Sequence, residues 1–286
     1  MKVAIIGAGL AGLASAWHLL QEGGVDVTVF DGGRGASWAS TGLLHECPGK
    51  KALPTNGAKE GMASAIDLLN SVSKRRPVYE KSGILRFAVN EEQKKAFQGD
   101  AIWLPDGISV YPRIYLEELK KECSEATFIQ KNIPCLDALH GFDAHVIAAG
   151  IGTALFFDLP MKKTIGQMLV CRCKKRLPYA ILAKAHITPT EEPQICLVGS
   201  TYEHTDQPHP HKALALLEQA AFVYPEAKEF DVLDIRTGVR CSPMVGHQPI
   251  LQRYGDTTWV FAGLGSRGLI YHALFAKMLV KELRRL

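Results

Sequence analysis

The stretch VAIIGAGLAGLASAWHLL, residues 3–20, decides the fold. Val3 to Ile6 is a short apolar run ending on glycine, the pattern of a parallel strand buried on both faces. Gly7-Ala8-Gly9-Leu10-Ala11-Gly12 follows, and beyond it Leu13, Ala16, Trp17 and Leu20 recur at helical spacing. After Gly23-Gly24, Val25 to Phe30 reads as a second strand, closed by Asp31. Strand, glycine loop, helix, strand and acid, in that order, make a dinucleotide-binding unit. Gly7 allows the tight turn, Gly9 lets backbone approach a pyrophosphate, and Gly12 lets the helix pack on the strand. The N–H groups of Leu10 and Ala11, at the helix N-terminus, are free to meet the phosphates. Asp31 is placed to accept hydrogen bonds from the adenosine ribose. It lies nineteen residues past Gly12, which predicts a slightly long helix-to-strand turn.

The same glycines argue against a secretory leader, because they break the apolar run at Gly7, Gly9 and Gly12. No run approaches the roughly 18 apolar residues of a membrane span, so no stable membrane insertion is expected. The chain has 286 residues, 47% apolar and 22% charged, in the range of an ordinary globular protein. Its net charge of +4 is spread thinly, with small clusters at Lys74-Arg75-Arg76 and Lys174-Lys175-Arg176. Aromatic residues do not interleave with these clusters, so a solvated surface is favoured over a nucleic-acid footprint. Seven cysteines is an odd number and none forms a Cys-x-x-Cys pair, which excludes a disulfide framework or a zinc site as the organising feature. A reducing, cytoplasmic location is expected, and no metal ligands are assigned.

The dinucleotide motif does not choose between a nicotinamide and a flavin. RGASWASTGLLHE, residues 34–46, follows the acid closely and is rich in small residues and hydroxyls. It resembles the Gly-Ala-Ser…Gly-x-Leu segment of the family that includes D-amino-acid oxidase, glycine oxidase and sarcosine oxidase, which use FAD. Val146 to Gly150 resembles that family's Ala-Ala-Gly strand, LPMKKTIGQMLV (159–170) its Pro…Gly-Gln segment, and CLVGSTYEH (196–204) its Val-Gly-x-Thr-x-Glu strand. RTGVRCSPMVGHQPIL (236–251) is similar to its Arg-x-Gly-x-Arg…Pro…Pro-Ile segment, and WVFAGLGSRGLIYHALFAKMLVKEL (259–283) to its closing strand, loop and helix. The likeness covers nearly the whole chain in order. A Gly-x-x-Arg-Gly-Leu loop like this one is also found in the oxidase domain of the bifunctional enzyme that modifies the tRNA wobble uridine. That enzyme carries a methyltransferase domain, of which this chain is read as having none.

The resemblance implies an α/β fold: a doubly wound, Rossmann-type FAD domain with a second, smaller mixed-sheet substrate domain. The expected FAD domain is 1–75, 110–157 and 237–286; the expected substrate domain is 76–109 and 158–236. Family members are usually longer, so some substrate-domain elements are expected to be trimmed. FAD would be held by Gly7, Gly9, Leu10, Ala11, Gly12 and Asp31, then by Arg34, Ser37, Thr41, Gly42 and Leu43, and by Gly150. Gly265, Ser266, Gly268 and Leu269 would hold its other end, with the following helix pointing its positive end at the flavin N1–C2=O edge. In that helix Leu274, Phe275, Met278 and Leu279 are the expected apolar positions.

For catalysis the resemblance implies Arg240 as the grip on a substrate carboxylate, since a guanidinium is a planar bidentate fork. The alternative for Arg240 is a structural ion pair. Arg267 would lie near the ring, or else be a surface arginine capped by carbonyls. His45 would lie near the flavin as a base or substrate guide, or be purely structural. Two departures stand out: Met244 follows Pro243 where the family has aspartate, and His186 stands where an aromatic residue often lines the pocket. Cys241 is not placed for a covalent flavin link. The implied activity is oxidation of a C–N bond of a small amine or amino acid by hydride transfer to flavin N5. The alternatives are a flavoenzyme acting on an aminomethyl-uridine of tRNA, and a flavin-binding protein without turnover. A nicotinamide dehydrogenase is disfavoured by the second loop.

Overall fold

A computed structural model describes residues 1–33, 35–49 and 52–285. A six-stranded sheet runs in the order Ile250–Tyr254, Thr258–Ala262, Ala144–Ile147, Lys2–Ile6, Asp26–Asp31, Thr127–Gln130. All its neighbours are parallel except the first pair, which is an antiparallel hairpin. The apolar run at the N-terminus is continuous because both faces of its strand are covered. Val3 and Ile5 face one core with Val27 and Val29. Ala4 and Ile6 face a second core with Phe30, Ile147 and Val260. The first core is capped by the helices Leu10–Glu22, Ala58–Val72, Pro112–Glu122 and Gly268–Leu283. The second is covered by short 3-10 segments and loops, including Leu136–Leu139 and the turns around Phe142 and Phe157.

The second sheet has seven strands in the order Asp231–Pro243, Met161–Arg172, Ile195–Gly199, His186–Pro189, Ala180–Leu182, Ile84–Phe87, Ala101–Leu104. It is mixed: Ala180–Leu182 pairs in parallel with Ile84–Phe87, and the other pairs are antiparallel. Cys171, Cys173 and Cys196 all point into its core, behaving as small apolar residues. A small third sheet joins Leu43–Leu44 and Tyr79–Glu80 to Ile108–Val110. Among the described residues no helix is long and apolar enough to cross a membrane.

One boundary falls differently from expectation. Asp231–Pro243 pairs with Met161–Arg172 as far as Pro243, so the boundary expected at residue 237 falls inside one strand. The reason is geometric: one edge of this strand belongs to the second sheet, while Gly238 and Arg240 face the cleft. The helix Pro112–Glu122 opens on proline, whose missing N–H costs nothing in a first turn. In the last helix Phe275 and Leu279 are buried as expected and Leu274 packs against the core, but Met278 is 44% exposed; the buried face also carries Leu269, Ala273, Ala276 and Val280.

Candidate active site

A cleft of about 480 Å³ opens where the two sheets meet, with the two glycine loops among its walls. The Gly7 loop forms one end. Gly7 has φ +105°, and a Cβ there would lie 2.5 Å from the Ala148 carbonyl oxygen. A Cβ at Gly12 would overlap the Gly7 carbonyl oxygen. Both positions therefore require glycine, one for a positive φ and one for close approach. The Leu10–Glu22 helix begins at Gly9 with no side-chain cap and no acid in its first turn. Its first-turn N–H groups have no intrahelical partner, so an anion would be welcome there. Leu10 N–H is held by Ser37 Oγ at 3.2 Å, and Ala8 N–H by Asp31 Oδ1 at 3.0 Å. Ser37 thus accepts at the helix end and keeps its own proton to donate. Asp31 helps shape the loop as well as lining the cleft.

The second loop faces it. The Gly268–Leu283 helix has Arg267 at its N-cap, again with no side-chain cap and no acid in the first turn. Gly265, with φ +54°, is tied by its N–H to the Cys241 carbonyl at 2.8 Å. Arg267 is held by a directed chain: Nη1 donates to Thr55 Oγ1 at 2.8 Å, and Tyr271 Oη lies 2.8 Å from both Thr55 Oγ1 and the Asn56 carbonyl. Since Tyr271 has one proton and the carbonyl can only accept, the Thr55 hydroxyl donates to Tyr271. Inside the same helix His272 is fully buried between Tyr115 Oη, at 2.6 Å, and the carbonyls of Gly268 and Leu269. Burial first, and the nearby His18, lower its pKa to about 4. It is neutral, with Nδ1 donating to the carbonyls and Nε2 accepting from Tyr115.

Arg240 enters from the second sheet. Its Nη2 donates to the Thr201 carbonyl at 2.6 Å and to Ser200 Oγ at 3.3 Å, and its guanidinium lies 4.2 Å from the centre of the Tyr202 ring. It passes over Gly166, where a Cβ would overlap the guanidinium. Neither Arg240 nor Arg267 pairs with a carboxylate among the described residues; both are held by neutral oxygens. Asp31, in the other wall, is the one acid among the described lining residues. His45 and His186 line the same end, and Nδ1 of each is buried without a partner. Burial, then Arg86 and His186, lower His45 to about 3. Burial lowers His186 to about 4, against a backbone hydrogen bond at Ala183 and with help from Arg240 and Arg86. Both imidazoles are neutral near pH 7. Behind them Arg86, 5% exposed, donates to the carbonyls of Cys47 and Gly49, the latter at 2.7 Å.

The structure brings most of the expected site residues to one cleft: Gly7, Gly9, Leu10, Ala11, Asp31, Ser37, Thr41, Leu43, Gly150, Gly265, Ser266, Gly268 and Leu269, with His45, Arg240 and Arg267. Gly12 and Gly42 are not in its walls. Gly12 serves the helix–strand contact, and Gly42 has φ +84° with its carbonyl accepting from Val110 N–H at 2.8 Å. Arg34 lies outside the described residues. Sequence reasoning missed Gly166, Arg86, the Thr55–Tyr271 chain and Gly238, where a Cβ would come 2.9 Å from Ala36 Cα. Only the Gly-Gln pair at 166–167 and the Arg-x-Gly-x-Arg motif around Gly238 carried a signal.

A parallel sheet opening on a glycine loop, a mixed sheet beside it, and a cleft with two uncapped helix ends define a dinucleotide-dependent oxidoreductase. The family model described as DAO, FAD dependent oxidoreductase, matches residues 2–101 and 93–282. The chain belongs to that family and is an FAD-dependent oxidoreductase. It is 27% identical over 315 aligned residues to the tRNA 5-methylaminomethyl-2-thiouridine biosynthesis bifunctional protein MnmC of Maricaulis maris (strain MCS10), covering 98% of this chain and 52% of that protein. The chain thus spans about half the length of that curated relative. Its fold is similar to iminodiacetate oxidase from Chelativorans sp. BNC1, with TM-score 0.85, 17% identity, and 99% and 95% of the two chains covered. It is also similar to glycine oxidase from Geobacillus kaustophilus, with TM-score 0.83, 19% identity and the same coverage. The residues present fit FAD: two uncapped helix N-termini, a glycine turn against Ala148, and hydroxyls at Ser37 and Thr41 suit a pyrophosphate and a flavin that gains negative charge on reduction.

Proposed function

We propose that the chain oxidises the C–N bond of a small amine bearing a carboxylate, an amino acid or an N-substituted one. The observation that carries this is Arg240: a guanidinium in the cleft wall, fixed on one side by the Thr201 carbonyl and stacked by Tyr202, with no carboxylate among the described residues to neutralise it. Such a group binds an anion brought by the substrate. FAD supplies the hydride acceptor when bound. Arg240 orients the substrate by its carboxylate, and Arg267 adds positive charge on the opposite wall. His45 and His186 are neutral and offer ring nitrogens to the amine, so they accept hydrogen bonds without repelling it. The positive surroundings lower the pKa of a bound ammonium, favouring the neutral amine from which hydride leaves.

The test is anaerobic mixing of the FAD-loaded protein with glycine, sarcosine and D-amino acids. Bleaching of the flavin bands supports the reading. Bands that persist with all of these remove it for small amino acids. A second reading, an aminomethyl-uridine of tRNA as substrate, is favoured by the likeness to MnmC along almost the whole chain. It expects bleaching by tRNA carrying such a uridine and none by free amino acids.

A further inference from the structure

Glu203 is 3% exposed, and it is not among the residues that line the cleft. A buried carboxylate is unfavourable unless donors meet its oxygens. Here Oε1 accepts from Gln167 Nε2 at 2.7 Å and from Thr201 Oγ1 at 2.8 Å. Oε2 accepts from the His209 backbone N–H at 3.2 Å and from His209 Nδ1 at 2.9 Å, with Lys212 Nζ 3.7 Å away. Gln167 N–H already fills Thr201 Oγ1 at 2.9 Å, so the threonine proton is committed to Glu203. Every neighbour is a donor, and only an ionised carboxylate can satisfy them all. Burial pushes this carboxyl up, but the hydrogen bonds from Gln167, Thr201 and His209 outweigh it and hold it at about 2.

The segment that Glu203 fixes is the one that holds Arg240. Ser200, the Thr201 carbonyl and the Tyr202 ring make the described contacts to that guanidinium. Thr201 N–H donates to the Gln167 carbonyl at 3.0 Å, and Glu203 exchanges two backbone bonds with Ile165, each 2.9 Å. Residues 200–203 are therefore clamped to the strand Met161–Arg172. That strand also carries Arg240's own strand in register, with Thr164 opposite Arg240. No ion pair joins Glu203 to Arg240 among the described residues. The carboxylate orders the grip without neutralising it, which leaves Arg240 free for an external anion.

We propose that Glu203 is a positioning residue, whose ionised carboxylate fixes the Thr201 carbonyl and the Tyr202 ring so that Arg240 presents a fixed fork to the substrate carboxylate. This rests on the reading of Arg240 given above. The experiment is calorimetric titration of the FAD-loaded protein with glycolate, a carboxylate of glycine's size lacking the amine. It compares wild type, Glu203→Gln, Arg240→Leu and the double variant. Gln offers one oxygen and turns an NH2 group toward two donors, so Glu203→Gln is expected to raise Kd about tenfold, and Arg240→Leu about a hundredfold. The double variant is expected to bind no more weakly than Arg240→Leu alone, because Glu203 acts through Arg240. A Glu203→Gln Kd equal to wild type, or a double variant weakened by the product of both factors, overturns the proposal while leaving Arg240's role standing. Absent glycolate binding by wild type, or equal binding by Arg240→Leu, overturns the reading of Arg240 and this proposal with it. Should Glu203→Gln fail to fold, Thr201→Val keeps the carbonyl and removes the hydroxyl link. It is expected to weaken glycolate about threefold, and an unchanged Kd overturns the proposal.

Discussion

At the Gly7 end of the cleft the wall is mostly backbone, drawn from residues 7–11 and braced by Asp31 and Ser37. At the Arg240 end it is side chains from segments far apart in sequence, with His45, His186, Tyr202, Arg240 and Arg267 meeting only in the folded chain. Gly7 and Gly12 tolerate no added atom because their contacts are carbonyl oxygens that cannot rotate away. The second end tolerates change at one member only as far as its neighbours hold the rest. Gly12→Ala, in the helix–strand contact directly behind this wall, should therefore have the largest effect of any single added methyl. Its Cβ would overlap the Gly7 carbonyl oxygen, and the helix would have to move off the strand. We expect a loss of about 3 kcal/mol or more and protein purified without bound flavin, read by the melting temperature and the visible spectrum. A yellow, stable Gly12→Ala protein would show that the Gly7 end is as adaptable as the other.

Arg240→Leu comes next and falls on the opposite end. It should leave flavin content and folding near wild type, because Arg240 is held by neutral oxygens and leaves no buried charge unpaired. It should raise the apparent KM of a carboxylate substrate about a hundredfold, the scale of losing a charge-assisted pair. An unchanged KM with bleaching intact would remove the carboxylate grip and shift weight to an uncharged amine. Paired with Gly12→Ala, this variant separates a defect in holding the cofactor from a defect in holding the substrate.

That contrast also explains what could be read before the structure. The Gly7–Gly12 turn, the helix after it and Asp31 are local, so spacing alone placed them. Arg240 was legible only through a resemblance, since nothing near it in sequence marks it as facing a cleft. Arg86 was not legible at all. It reaches from its own strand to the carbonyls of Cys47 and Gly49, a pairing that depends on how two sheets meet. Gly166 looked like a strand residue, and its lack of a side chain mattered only once Arg240 was seen crossing it. The boundary expected at residue 237 lies inside a strand for the same reason, because that strand serves a sheet with its edge and the cleft with a face.

A pH series sharpens the asymmetry further. His45 and His186, at the Arg240 end, are held at about 3 and about 4, and His18 and His272, in the helical layer, at about 4. A histidine of ordinary pKa near 6.5 takes up a proton on unfolding below that pH, while these resist it in the folded chain. Their stabilising share is complete above about pH 6.5 and is lost as pH falls from there toward 4, at up to about 1.4 kcal/mol per pH unit for each. Glu203 adds to the loss only below about 4.5, since its pKa is depressed. Urea midpoints measured from pH 7.5 to 5 should fall steadily, and His45→Gln or His186→Gln should flatten the slope. An equal slope in both variants would mean that the cleft histidines are solvated. The same neutrality predicts no acid limb from these groups in kcat/KM between pH 5 and 9.

Tyr271→Phe is the smallest change we expect to resolve, and it tests whether Arg267 belongs with the rigid end or the adaptable one. The variant keeps the buried ring and removes one hydroxyl. Thr55 Oγ1 then loses its acceptor and the Asn56 carbonyl loses its donor, but the bond from Arg267 Nη1 to Thr55 survives. Stability should fall by about 1 kcal/mol, the usual net worth of such a bond, visible as a lower urea midpoint with unchanged slope. The KM for a carboxylate substrate should rise less than about threefold, because a two-bond gap separates the lost hydroxyl from the guanidinium. Thr55→Val, which removes Arg267's own acceptor, should move KM more than Tyr271→Phe while costing similar stability. If Tyr271→Phe instead raises KM as far as Arg240→Leu, Arg267 is as stringently positioned as the glycine turn, and the division of the cleft into a rigid and an adaptable end fails at its second loop.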